Sequence, residues 1–395
     1  MAVLTLSQIS EYLQKRILPQ IQNQIAQQTP LMSNIKQNAG ITKMDNDSFY
    51  VTMRTFRHSG IQWSAAGEST LQTTGQDQRA QSKVDAKFGY GTFRIDHKVL
   101  SVSDKGVIAD ILESESQGLL KDLAKHINRQ WYGYGNGQLC LANGAGSSTA
   151  TLTIDTPGAR YLSPGMNIFI GAVQAQISTV DSDTQVTLTA TKTWSDNDVV
   201  KLATADNTAA SEMMGLGGIV DDGTRVATLQ NIARSTNYWW KTPANQLNTS
   251  ATALTEAIMT AIYTYAREYA MNFQKPNYAW FLGADMWNAY GKLLTSMKKT
   301  ATTKDVLNGG WKGLEFMDGV PVVLDFDVPA GEGYLVDLDA MTWAQLAPLD
   351  FIPGDTNNGV LTRVPGTSLF EATAAVYGNL ATFNVRGHGA FRAKT

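Results

Sequence analysis

The chain has 395 residues, 43% of them hydrophobic and only 17% charged, with a net charge of −3 and one cysteine. That length allows two or three domains and a sizeable core, while the mild acidity and the lack of any basic run argue against a dedicated nucleic-acid binder. A lone Cys140 excludes an intrachain disulfide and a multi-thiolate metal site, and no apolar run approaches the about 20 residues that span a bilayer.

The N-terminus, MAVLTLSQISEYLQ, lacks the charged opening of a signal peptide, so a reducing, cytoplasmic setting is expected. Residues 3–28 place Ile9, Leu13, Ile17, Ile21 and Ile25 on one helical stripe that needs cover from another surface, and Pro19 divides or kinks it. Over residues 46–102, DSFYVTMRTF and AKFGYGTFRIDHKVL read as strands, and Ala65–Gln81 between them is small and polar. Together they predict an extended hairpin with a long projecting tip. Residues 104–132 are the clearest helix, with Asp104 as cap, Val107, Ile111, Leu119, Leu123 and Ile127 on one side, and GYGNG as the stop.

Five short alternating segments follow within residues 147–205: TATLTID, MNIFIGA, QAQISTV, TQVTLTA and DVVKLA. They predict a small antiparallel barrel or sandwich inserted into a host domain. Trp239–Trp240 is costly to leave in water and reads as a core anchor or an aromatic ligand platform. A second amphipathic helix covers 251–272, KPNYAWFLG is a strand, and ADMWNAYGKLLTSM returns to helix. Gly310–Trp343 forms short strands joined by Gly and Pro turns, and Leu369–Phe391 holds one or two long strands that return to the host. The fold class is α+β.

Chemistry is sparse. His58, His97, His126 and His388 show no metal or catalytic spacing. Asp181–Thr184 and Ser195–Asp198 suit turn caps or a weak cation site. The DDG at Asp221 is a turn sequence. Asp325 and Asp327 could share a strand face as a carboxylate pair, but no neighbour separates acid from base. GLGGIV at Gly215 lacks the dinucleotide fingerprint, NGAGSS at Asn143 lacks the phosphate-loop lysine, and MKKT at Met297 is too short a basic patch for nucleic-acid recognition. No catalytic, cofactor-binding or metal residue is expected.

Four stretches carry a resemblance: QWSAAGESTLQTTGQDQRAQSKVDAKFGYG followed by GVIADILESESQGLLKDLAKHINRQW; MMGLGGIVDDG with ARSTNYWWK; GLEFMDGVPVVLDFDVPAGEGYLVDLDAM; and YGNLATFNVRGHGAF. In this order they resemble the major capsid proteins of tailed bacteriophages, although Val385 stands where that family often has proline. The resemblance covers most of residues 1–146 and 206–395. It implies an HK97-like shell fold with an N-terminal arm (1–45), an extended loop (46–102) and a spine helix opening a peripheral domain (103–146). A barrel-like insertion (147–205), the rest of the peripheral domain (206–282), an axial domain (283–368) and returning C-terminal strands (369–395) follow.

The implied function is a major capsid protein, not an enzyme, that assembles through hexamers and pentamers into an icosahedral shell around double-stranded DNA. The implied partners are copies of itself, a separate scaffolding protein because little chain precedes residue 30, a portal protein at one vertex and a decoration protein. Contact with packaged DNA would be non-specific, with no membrane and no cofactor. The place would be the virion capsid, built in a bacterial cytoplasm. Some relatives crosslink a loop lysine to an asparagine. Lys83 and Lys87 lie on the loop's return side, but no partner can be assigned and no such bond is expected. An encapsulin-like compartment, a tail or baseplate protein, and a soluble enzyme using the barrel as substrate module are the alternatives.

Overall fold

The computed structural model describes residues 29–35, 37–39, 48–56, 77–96, 105–155, 158–204, 211–298, 314–353 and 360–394, with isolated positions between them. The apolar stripe at 3–28, His97, Asp104 and the stretch 64–76 lie outside the described residues.

Two sheets and one long helix share the main core. The first sheet pairs Met341–Phe351 with the 14-residue strand Leu369–Thr382, whose other edge takes Lys87–Asp96. Its far side is extended by Gln37–Ala39, parallel to Trp343–Gln345. Leu31 and Ile35, just before that strand, are buried in the main core. Part of the stretch assigned above to an arm is therefore built into the main core.

The helix Lys105–Tyr132 lies on this sheet. It buries Ser116, Leu120, Ala124, Ile127 and Trp131, and Trp131 meets Trp343 with ring centroids 5.1 Å apart. Leu119 and Leu123, expected at the centre of the stripe, flank it half-buried. Alternation in KFGYGTFRID turns Gly89, Gly91, Phe93 and Ile95 to the covered side. A side chain at Gly91 would meet Leu119 at 3.0 Å, and one at Gly89 would meet Val376 at 3.1 Å. Gly91 thus lets the helix lie close to the strand, and Gly89 makes room for Val376 of the paired strand. Gly91→Val should push helix and strand apart and lower stability by about 1–3 kcal/mol. Thr92→Val, on the exposed face, should stay within about 0.5 kcal/mol. Chemical denaturation of both variants checks the contrast.

The second sheet has six strands, in the order Leu247–Asn248, Gly389–Phe391, Gly333–Asp337, Tyr278–Leu282, Val320–Leu324, Leu314–Phe316. Its two central strands, YAWFL and GYLVD, are buried at every position. Trp280, Leu282 and Leu335 pack with the helix Glu256–Glu268, whereas Ala279, Phe281, Tyr334 and Val336 face the main core. A strand covered on both faces must be apolar throughout. The segment Gly310–Trp343 thus joins the two sheets: its first three strands enter this one, and Met341 begins the other. The sheet also crosses the boundary drawn at residue 283.

The barrel has six strands, in the order Gln138–Leu141, Val199–Leu202, Asn167–Ile170, Val173–Ser182, Gln185–Trp194, Gly146–Thr153. The bridge Ala142–Ile154 closes it. Gln138–Leu141 was not among the five segments read from the sequence. The core of Leu152, Ile168, Ile170, Val186 and Val200 is separate from the main one.

The hairpin corrects one expectation. FYVTMRTF pairs not with AKFGYGTFRID but with Gln78–Asp85, which begins within the polar stretch Ala65–Gln81 and runs past its end. At its root, Ser48, Val51, Ser82 and Val84 are buried, and Phe49 and Val84 pack near Ala344 and Ala381 of the first sheet. Small Ser82 and one valine suffice to bury that face, so the strand carries little hydrophobic alternation. Among the described residues no helix is long and apolar enough to cross a membrane.

Candidate functional site

Three places gather polar or exposed side chains. The first lies where the last turn of the long helix, the barrel and the turn after Val320–Leu324 meet. They enclose a cleft of about 420 Å³ lined by residues that include Tyr132, Tyr134, Arg160, Arg225, Asp327 and Glu332. Asp325 and Asp327 are together here, but in a turn rather than on one strand face. Asp325 accepts from Tyr132 Oη at 2.9 Å and from Asn128 Nδ2 at 3.1 Å. Asp327 accepts from Arg160, from Tyr161 Oη at 2.9 Å and from Asn128 Nδ2 at 2.7 Å. Burial raises the Asp325 carboxyl above its usual range. Structural donors occupy both carboxylates, and Arg160, which also donates to Phe326 O, ties the barrel to the host.

On the wall of the cleft, Arg129 pairs with Glu212 and donates to Gln138 O at 2.7 Å, fixing the start of the barrel. Arg225 pairs with Glu332 at 2.7 Å.

The second place is a buried hub on Asp221. Its Oδ2 accepts the backbone N–H groups of Gly223, Arg225 and Val226, at 3.0, 3.1 and 3.1 Å. Arg234 and Arg392 face the same carboxylate at 3.4 and 3.1 Å. Arg234 also donates to the carbonyls of Gly218, Ile219, Val226 and Trp240, and Arg392 to those of Gly217 and Val220. The glycines of GLGGIV let this turn abut the long helix: any side chain at Gly215 would collide with Gln130 O, and one at Gly217 would meet Tyr132 O at 2.7 Å. The hub ties MMGLGGIVDDG, ARSTNYWWK and the C-terminal FRAK into one unit, and nothing in the sequence reading singled it out.

The third place is a surface. Beyond its root the hairpin exposes Tyr50 and Phe56, and past its described strand Trp63 is 95% exposed. Phe56 meets Tyr238, with ring centroids 6.1 Å apart. On the outer face of the first sheet, Phe88 and Tyr90 stand exposed beside Tyr377, at 5.0 and 5.7 Å.

The other residues singled out from sequence are scattered. His58 accepts from Gly60 N at 3.0 Å in the hairpin loop. Asp181 accepts from Thr187 and Thr179, which hold its carboxyl below the usual range. Asp198 accepts from Ser195 N, and Asp196 from Gly144 N beside the NGAGSS turn. Trp240 is buried and donates to Leu229 O at 3.0 Å, while its neighbour Tyr238 is the exposed ring. Cys140 lies in the barrel core, and burial pushes its thiol up to about 12. Lys83 pairs with Asp85 at 3.0 Å, and Lys87 donates to Ser211 Oγ at 2.8 Å. Among the described residues no group of three or more metal-ligating side chains converges.

His388 is fully buried. Its Nδ1 accepts from Asp337 N at 3.1 Å, so Nε2 carries the proton and faces Thr382 Oγ1 at 3.0 Å. Burial lowers its pKa to about 3, and burial also lowers His126 to about 4. The unfolded chain takes up these protons near pH 6.5, ahead of the folded one. Each ring therefore stabilises fully above about pH 6.5, and that stability is lost as pH falls. Burial raises Glu212, Asp325 and Asp337, which oppose this trend by binding protons first in the folded state. A variant comparison isolates the histidine. His388→Asn should flatten stability against pH between about 6 and 4 by one proton, about 1.4 kcal/mol per unit. Parallel curves for variant and wild type would refute a neutral buried ring.

No family profile and no curated protein matches the chain. Among solved structures it is similar to the Cyanophage A-1(L) capsid asymmetric unit, at 16% identity and a TM-score of 0.55, over 93% of both chains. Weaker likenesses are Gordonia phage Cozz, at 12% identity and TM-score 0.45 over 93% of this chain and 87% of that one, and the SrpI encapsulin complex of Synechococcus elongatus PCC 7942, at 7% and 0.44 over 93% and 87%. The chain has the fold of a phage capsid protein.

Proposed function

We propose, from the fold shared with a phage capsid along nearly the whole of both chains, that this protein is a capsid shell subunit. In this reading it is the major capsid protein of a tailed phage, closing through hexamers and pentamers into an icosahedral shell around double-stranded DNA. Its function is geometric, because each copy presents complementary patches to its neighbours. The exposed hairpin aromatics and the Phe88, Tyr90 and Tyr377 cluster on the outer face of the first sheet are suited to such contacts, being aromatic side chains left in solvent or only partly covered. Many weak contacts then add up across a shell. A scaffolding protein, a portal and a decoration protein belong to the same reading. So does loose contact with DNA, which the net charge of −3 suits.

Electron microscopy of the purified protein, with and without a scaffolding partner, tests the proposal. Rings of five or six subunits, or closed shells, are the expected result. Monomers that turn over a small substrate would reject it. Shells loaded with an enzyme rather than DNA would move the reading to a cellular compartment.

A further inference from the structure

Nine described arginines each face a carboxylate: Arg54, Arg79, Arg94, Arg129, Arg160, Arg225, Arg234, Arg267 and Arg392. Arg363 donates instead to Thr367 O. Arg386 differs from all of these. Its guanidinium lies over the rings of Tyr269 and Tyr238, at 4.9 and 5.6 Å, and forms no ion pair among the described residues. Its Nε is buried without an acceptor, although the side chain as a whole is only half-buried.

The placement is built, not incidental. Asn384 caps the single turn Val385–Gly387 by accepting from Arg386 N at 3.1 Å, and its amide donates to Tyr269 O. The surroundings are apolar and open: Tyr238 is 60% exposed and Phe56 40%, and exposed Met271 and Phe273 follow Tyr269 in the chain. An arginine held over aromatic rings, with no carboxylate paired to it among the described residues, is the composition of an interface anchor.

Resting on the shell reading, we infer that Arg386 is a socket for a carboxylate on a second copy of this chain, with Tyr238, Tyr269 and Phe56 as its apolar rim. A single cation among tyrosines does not suit a phosphate backbone, which takes rows of cations. A planar guanidinium does suit a carboxylate, taken bidentately. The chain, with more acidic than basic residues, has carboxylates to offer.

The test compares full-length wild type, Arg386→Ala and Arg386→Lys under conditions in which wild type assembles, by sedimentation and cryo-electron microscopy. Arg386→Ala should melt within a few degrees of wild type as free subunit, yet need at least about tenfold more protein to assemble, because a small loss per contact is multiplied over many copies. Arg386→Lys should fall between, keeping the charge but not the fork. The wild-type shell map should place an Asp or Glu of a neighbouring copy within about 4 Å of the guanidinium. Assembly of Arg386→Ala at wild-type concentration, or a map without such a carboxylate, overturns the inference. So do normal shells that fail to retain DNA, which would reassign Arg386 to phosphate. If Arg386→Ala does not fold, the map decides. A wild type that forms neither rings nor shells overturns the shell reading itself, and this contact with it.

Discussion

Asp221→Ala is expected to cost about 3–5 kcal/mol, enough to leave much of the chain unfolded at ordinary temperature. The substitution removes the carboxylate that faces both Arg234 and Arg392, each almost wholly buried. Two guanidinium charges would then lie in the interior with no carboxylate in contact, Asp222 acting on them only from a distance. Three backbone N–H groups, of Gly223, Arg225 and Val226, would also lose their acceptor. Asp221→Asn keeps an acceptor oxygen but not the charge and should cost less. Urea or guanidinium unfolding of the protein measures both. A loss below about 1 kcal/mol for the alanine variant would mean that the hub is not a stabilising centre.

That hub was not legible in the sequence, and the reason is physical. DDG followed by small polar residues reads as a turn, and it is one. The second role of Asp221 depends on Arg234, 13 residues on, and Arg392, 171 residues on. No local periodicity records such a meeting. The barrel is the opposite case. Its strands follow one another, each alternates, and its core is its own, so nearly all of it could be read from residues 147–205. Only its first strand escaped, since QLCL is short and lies apart, just after the helix stop.

The hairpin falls between these cases. Its outgoing strand was visible, but its return strand QRAQSKVD buries only Ser82 and Val84. The more apolar KFGYGTFRID looked the better partner and instead spans ten residues of the C-terminal strand. Strand partnership over such distances is decided by tertiary packing, here by the helix resting on Gly91 and Phe93. Arg386 shows the same limit: its lack of a carboxylate becomes visible only beside the other described arginines, nine of which face one.

Glu212→Ala should also cost about 3–5 kcal/mol, because it leaves Arg129 buried and unpaired at the junction of helix and barrel. Here the loss should be largely reversible by a second substitution. Arg129→Met with Glu212→Leu replaces the pair by apolar side chains of similar volume, and such exchanges are often neutral or stabilising. The only backbone group orphaned is Gln138 O, which accepts from Arg129 at 2.7 Å, so the double variant should recover all but about 1–2 kcal/mol. The Asp221 hub allows no comparable rescue. Arg234 and Arg392 satisfy the carbonyls of Gly217, Gly218, Ile219, Val220, Val226 and Trp240. An apolar triple replacement would strand five of those carbonyls, Ile219 O alone keeping a donor in Asp221 N at 3.1 Å, as well as three N–H groups. The two buried ion clusters should therefore respond alike to single truncation and oppositely to apolar replacement. Equal rescue at both sites would show that the backbone hydrogen bonds of the hub contribute little.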